Sequence, residues 1–244
     1  PAHASTLLLG SPMELMLTPL TLASARYKAE DFRPIGIMAV TSMVLLARKD
    51  LKASNTDELL ALMRAPGAKE LSYGSIGPGS LYHLLGERFM QQTGTKMLHV
   101  PYKGMAPVLQ DLMGGVIDLV FAPLGGNVPD LINSGSVKAL GLAATTPHET
   151  LSTIPLIRSS KGLEDFVYSL WSGVQVSRRV PEAMQARLHE VFNQVMQNAS
   201  VRKGVEAGGS KVPPPQTLEE LDRDYRKEVE NYQAMAKSVN LKPE

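Results

Sequence analysis

The sequence contains no cysteine, which removes disulfides, thiolate nucleophiles and sulfur-ligated metals together. Neither sign of charge is in excess: 25 basic residues stand against 24 acidic ones for a net charge of +1. The two signs are interspersed, so no basic face is implied and nucleic acid is not an expected partner. A long hydrophobic run is also missing. The longest uncharged stretch, Ile35 to Ala47, is bounded by Pro34 and Arg48; it is too short to span a bilayer and reads as buried strand. The opening "PAHASTLLLGS" has no charged segment followed by a long apolar one, so no secretory signal is visible. An apolar strand pattern, Thr6 to Leu9, starts almost at once, and the expectation is a mature, trimmed or internally cut chain. What is present is globular: 43% hydrophobic and 20% charged residues over 244 positions, enough for one large domain or two lobes with their own cores.

From Asn55 to Ala144 short apolar strands alternate with helices. Asn55 and Glu58 form a capping box for "TDELLALMR", which "APG" ends at residues 65 to 67. Three strand-loop-helix units follow: "LSYGS" into "SLYHLLGERFMQQ", "MLHVPY" into "MAPVLQDLMGG", and "IDLVFA" into "GGNVPDLINSG", before a closing strand "KALGLAA". Such nearly continuous apolar strands belong to a parallel sheet covered on both faces. Residues 145 to 160 read as loop, and "FVYSLWSGVQVS" as a strand crossing back. Pro181 suits the first turn of the next helix, and Gly208 with Gly209 stops the one after it. Thr217 and Glu220 cap a last helix running to about Asn240, whose buried face is Leu218, Leu221, Tyr225, Val229 and Tyr232. The expected architecture is α/β, with two parallel-sheet lobes joined by two hinge crossings near residues 35 to 47 and 166 to 177. Residues 1–43 and 147–244 form the first lobe and 44–146 the second.

The stretch "LSYGSIGPGSLYHLLGERF" places Gly74, Gly77 and Gly79 between a strand and a helix. As a nucleotide-triphosphate loop it fails, because Ser80 and Leu81 occupy the lysine and hydroxyl positions. As a dinucleotide fingerprint it fails at Tyr82, where Gly or Ala belongs. What survives is a helix N-terminus suited to a carboxylate, held by N–H groups and by the hydroxyls of Ser75 and Ser80; a tight turn needing positive φ is the plain alternative. The next two strand ends, "PYKGMAP" and "APLGGNVP", again carry small residues before a helix. Ligands of parallel α/β sheets sit beyond such ends, so three helix N-termini are expected to converge on an anion with more than one carboxylate. Lys103, the only basic residue in the three loops, either pairs with a ligand or is a solvated loop lysine. His83 is read as a core or supporting residue and Trp171 as packing between lobes. Catalytic signatures fail as well. "HEVFN" has Asn193 where a zinc helix needs its second histidine, no Gly-x-Ser-x-Gly elbow is present, and Asp222 with Asp224 reads as a solvated helix face. No metal and no cofactor are expected.

The runs "STLLLGS", "LSYGSIGPGSLYHLLGERF", "HVPYKGMAPVLQDLMGGVIDLVFAPL", "VKALGLAAT" and "YSLWSGVQV" leading to "VPEAMQARLHEVFNQVM" resemble, in order and spacing, the substrate-binding proteins of tripartite tricarboxylate transporters, the Bug family. The resemblance implies a type II periplasmic-binding-protein fold, a periplasmic location, capture of a small carboxylate, delivery to membrane permease subunits, and no catalysis. By position it implies ligand contacts from Gly10 and Ser11, from Ser75, Ile76, Gly77, Gly79 and Ser80, from Lys103, Gly104, Met105 and Ala106, and from Ala122 and Pro123. Backbone amides rather than an arginine would grip the ligand. Compared with the family, roughly fifty residues of strand, loop, helix and strand are absent before "STLLLGS". The first lobe is therefore expected to be truncated, with a bare sheet edge that favours a homodimer, or to belong to a member that no longer binds. Two other readings stay open: an α/β hydrolase or acyl- or phosphoryl-handling enzyme using Ser75 or Ser80 with His83 as base, and a ligand-sensing module without a DNA-binding segment.

Overall fold

The structure is a computed structural model that describes residues 6–238. Its elements, in chain order, are β1 (Leu8–Gly10), α1 (Thr18–Thr21), β2 (Phe32–Arg48), α2 (Thr56–Arg64), β3 (Leu71–Ser75), α3 (Leu81–Thr93), β4 (Met97–Pro101) and α4 (Met105–Gly114). They continue with β5 (Leu119–Pro123), α5 (Val128–Asn133), β6 (Val137–Ala143), β7 (Ser169–Ser177), α6 (Glu182–Met196), α7 (Ala199–Ala207) and α8 (Leu218–Ser238). The chain divides into two compact units, one made of the residues up to Thr41 and from Leu170 onward, the other of Ser42–Ser169. Segment 147–169 therefore falls in the second unit, not in the first as its composition suggested. The reason is packing. Leu142 N–H donates to the Pro155 carbonyl at 2.8 Å, Leu151 and Ile154 join that unit's core, and the Phe166 ring lies 5.9 Å from Phe89 and 5.6 Å from Phe121.

In the second unit β3 pairs in parallel with both β4 and β5. The sheet is not wholly parallel, because the final stretch of β2 runs antiparallel to β5 on one side and to β6 on the other. A strand that enters from outside the β-loop-α series carries no helical crossover to fix its direction. Helices cover both faces, which explains the unbroken apolar run of β5: Val120 and Ala122 join Val108 and Leu112, while Phe121 turns to Phe89 and Phe166. Helix α2 starts where the Asn55 and Glu58 spacing predicts. Glu58 N–H donates to Asn55 Oδ1 at 2.9 Å, and the Glu58 carboxylate takes the Ser54 N–H at 2.7 Å. Helix α3 lies unusually close to β3, since a Cβ added at Gly86 would sit 2.2 Å from the Tyr73 ring.

In the first unit β1 pairs antiparallel with β7, Gly10 opposite Gly173, and β7 neighbours β2. β1 ends the strand order, and Leu7 and Leu9 are more than half exposed, at 53% and 63%. Ile35, Val176 and Val180 form a small core with Leu188 and Phe192. Helix α8 buries Leu221, Tyr225, Val229 and Tyr232 as its spacing predicts, while Leu218 is only partly buried, and its box closes with Glu220 N–H donating to Thr217 Oγ1 at 3.2 Å and Thr217 N–H to Glu220 Oε2 at 2.8 Å. The predicted end near Asn240 lies outside the described residues. Two sequence expectations change here. Asp222 is not a freely solvated charge: it pairs with both Arg178 and Arg226, which hold its carboxyl below the usual range against the opposing effect of burial. Trp171 does more than pack, because its indole N–H donates to Glu228 Oε2 at 2.6 Å. Burial pushes the Glu228 carboxyl up to about 7, with the indole N–H pulling it down and Asp224 adding to the rise.

Candidate functional site

β5, β3 and β4 lie side by side and parallel, Tyr73 opposite Leu119 and Ser75 opposite Pro101. Their carboxyl ends, Ser75, Pro101 and Pro123, thus share one edge of the sheet, and each leads through a short turn into a helix. This brings together the predicted residues of the second unit: Ser75 to Ser80, Lys103 to Ala106, and Ala122 with Pro123. Tyr102 N–H donates to the Ser75 carbonyl at 2.8 Å, tying the first two turns to each other.

In the first turn Gly77 (φ 119°) and Gly79 (φ 76°) hold backbone conformations that side chains resist. Both serine hydroxyls predicted to reach a ligand are engaged inside the loop. Ser75 is fully buried, and its Oγ lies 2.7 Å from His99 Nε2 and 3.1 Å from both the carbonyl O and the amide N of Gly77. Ser80 caps α3, its hydroxyl donating to the Gly77 carbonyl at 2.7 Å and accepting the His83 N–H at 3.3 Å. The serines shape the loop. Ile76 is partly exposed beside them.

The second turn differs. Gly104 heads α4 in extended backbone (φ 170°, ψ 167°) with no side-chain cap. The first-turn amides of Met105 and Ala106 therefore have no intrahelical acceptor, and Pro107 has no N–H at all. Lys103 is exposed beside them, so the start of α4 presents amide donors next to a cation, with the positive end of the helix dipole behind. In the third turn Ala122 is buried opposite Val44, and Pro123 pairs with Met43.

Beneath the first turn lies a partly buried polar chain that joins near neighbours, such as Gly79 and His83, to partners as far apart as Ser75 and His99. Gly79 N–H donates to His83 Nδ1 at 3.1 Å, which leaves the imidazole proton on Nε2, 3.7 Å from Glu87. Tyr73 OH donates to the same Glu87 oxygen at 2.8 Å. The His83 and His99 rings are 4.3 Å apart. Burial lowers the His83 pKa, Glu87 opposing it, and brings His99 down to about 4, with the charge of His83 adding to the fall. Both imidazoles are neutral at pH 7 and act as fixed hydrogen-bonding partners of the loop. The proposed base for a Ser80 nucleophile is therefore turned elsewhere, onto Gly79. Ser75 does meet a histidine, His99, which sequence reading overlooked. No spacing rule links residues 75 and 99; only the β3 and β4 register brings them together.

In the first unit Gly10 closes β1, and the Ser11 N–H and hydroxyl both donate to Glu14, so this serine too is engaged locally. Among the described residues no group of three or more His, Asp or Glu is arranged to hold a metal, and no helix is long and apolar enough to cross a membrane.

The family model described as tripartite tricarboxylate transporter family receptor matches residues 3–241. Among curated proteins, Protein BugT of Bordetella pertussis is 30% identical over 214 residues, covering 86% of this chain and 64% of BugT. A protein from the TAR-I ttuE-ttuC' intergenic region of Agrobacterium vitis is 29% identical over 204 residues, covering 82% and 58%. The chain thus spans about six-tenths of the length of these relatives. Among solved structures, a periplasmic transporter superposes with a TM-score of 0.82 at 26% identity, covering 99% of this chain and 80% of the other. A protein of R. palustris solved with adipate gives 0.82 at 26% identity, covering 100% and 81%.

Proposed function

Since the chain belongs to the family of tripartite tricarboxylate transporter receptors, we propose that it is a periplasmic solute-binding protein that captures a small di- or tricarboxylate for membrane permease subunits and releases it unchanged. The observation that carries this reading is the uncapped start of α4, with the Met105 and Ala106 amides and Lys103 at the shared edge of three strand ends. A carboxylate there gains charge-assisted hydrogen bonds and the favourable end of a helix dipole. The loop at Ser75 to Ser80 is held rigid by its own hydroxyls and by two neutral imidazoles, so that its backbone, not its serines, faces the ligand. This arrangement supplies binding without a nucleophile.

Adipate, seen with the R. palustris relative, is the first ligand to test, by calorimetry against succinate, citrate and an uncharged diamide. The decisive variant is Met105→Pro. Proline suits the first helical position, and Gly104 already has the extended backbone that a following proline requires. The helix is kept while one N–H is deleted. A lost hydrogen bond to a charged group is worth about 1.5–3 kcal/mol, so Kd should rise roughly ten- to hundredfold, and an unchanged Kd refutes the assignment. Self-association belongs to the same reading: among the described residues β1 ends the strand order, with Leu7 and Leu9 exposed, and such an edge suits pairing with a second copy. Size-exclusion chromatography of Leu9→Lys should then show a shift toward monomer.

A further inference from the structure

The first unit holds a cavity that the carboxylate reading leaves without a role. Its volume is about 160 Å³, and a cavity of about 150 Å³ accommodates a benzene ring. Pro34, Ile37 and Val40 of β2 form one wall, with Trp171, Pro213 and Leu221 around it. The remaining lining residues are Gln216, Asp224, Tyr225 and Glu228. Among the described residues no basic side chain lines this space.

The hydrogen bonds already made decide what the polar end can recognise. The Trp171 indole N–H is engaged by Glu228. The Tyr225 hydroxyl donates to the Ala29 carbonyl at 2.9 Å. One Gln216 amide N–H donates to Asp224 Oδ2 at 2.8 Å, which leaves its second N–H as donor and its carbonyl oxygen as acceptor. The indole and phenol donors of this wall are thus directed at the protein itself, and Asp224 is held by Arg223 at 3.2 Å as well as by Gln216, so the Glu228 carboxyl and the Gln216 side-chain amide are what remain. A ligand with donors and positive charge at one end and an apolar body at the other suits this lining, whereas an anion meets the Glu228 carboxyl.

We propose that this cavity is a second binding site, for a small organic ammonium ion with a ring-sized apolar body, its nitrogen donating to Glu228 and the Gln216 carbonyl. The apolar body replaces water against β2 and Trp171, and the ammonium neutralises a carboxyl that burial otherwise drives toward protonation. The site lies wholly on residues of the first unit and owes nothing to the strand ends of the second.

Trp171 is the only tryptophan, so indole fluorescence reads the site directly. Titration of the whole chain with benzylammonium should give a saturable change, whereas benzoate and benzyl alcohol at equal concentration should give none. Glu228→Gln keeps an acceptor for the indole N–H and removes the charge; it should raise the Kd for benzylammonium about tenfold or more. Val40→Phe, which fills the cavity and leaves the carboxyl in place, should abolish the response. An equal response to benzyl alcohol, or binding left intact by either variant with the far-ultraviolet dichroism unchanged, overturns the proposal, and so does the absence of saturable benzylammonium binding.

Discussion

Replacing Glu228 by glutamine should change how stability depends on pH, with a sign that can be worked out in advance. Folding raises this carboxyl from its ordinary 4.5 to about 7. Between those values the folded state holds a proton that the unfolded state has lost, so stability falls as pH rises through the window. At ~1.4 kcal/mol per pH unit the whole effect is about 3 kcal/mol. His99 works in the opposite direction. Its folded value lies near 4, below the ordinary 6.5, so the unfolded state takes up protons first and stability falls as pH drops from 6.5 toward 4. In the natural protein the two slopes oppose each other between about pH 4.5 and 6.5, with the lowered pKa of His83 acting in the same direction as that of His99. Glu228→Gln removes one slope and exposes the other. The groups facing Glu228 are the Trp171 N–H from β7 and Asp224 from its own helix, and the glutamine keeps an acceptor for the former. Urea denaturation of both proteins at pH 4.5 and pH 8 gives the answer: relative to the natural protein, the variant should gain about 3 kcal/mol between the two. A gain that is the same at both pH values refutes the idea that this carboxyl is kept protonated by burial.

Ser80→Ala removes the cap of α3 and should cost about 1 kcal/mol in a denaturation midpoint, the usual worth of such a cap. It should also loosen the loop enough to lower hydrogen-exchange protection at Gly79 and His83. Gly86→Val places side-chain atoms on the Tyr73 ring, 2.2 Å from where its Cβ must go. It should destabilise by about 1–3 kcal/mol, and retention of the natural melting temperature would show that α3 does not pack so closely. His83→Phe keeps the ring but deletes the acceptor of the Gly79 N–H. Adipate binding measured calorimetrically should weaken in this variant while the α-helical signal is unchanged.

Much of this fold is written locally. The capping pairs Asn55 with Glu58 and Thr217 with Glu220, the stop at Gly208 and the three strand-turn-helix units depend on neighbours within a few positions, and each forms where its residues predict. The direction of β2 has no such local mark, because a strand reads the same whichever way its neighbours run, and segment 147–169 joined the second unit through contacts with residues far from it in sequence. The polar chain under the glycine turn was hidden for the same reason. Ser75 and His99 are 24 positions apart, and Trp171 and Glu228 are 57 apart. Seen alone, Ser75 and Ser80 read as ligand contacts, and a hydroxyl in a turn does not reveal that the turn itself also engages it.

On the proposed reading, the start of α4 recognises its guest through main chain alone. Every amino acid except proline displays the same N–H at the positions of Met105 and Ala106, so substitution there alters the shape of the surroundings without erasing the donors. Descendants of such a protein can exchange nearly every side chain near the guest and still hold an acid group, while drifting freely in which acid they prefer. On that reading, divergence to below a third identity is compatible with continued carboxylate binding, because the donors belong to the backbone.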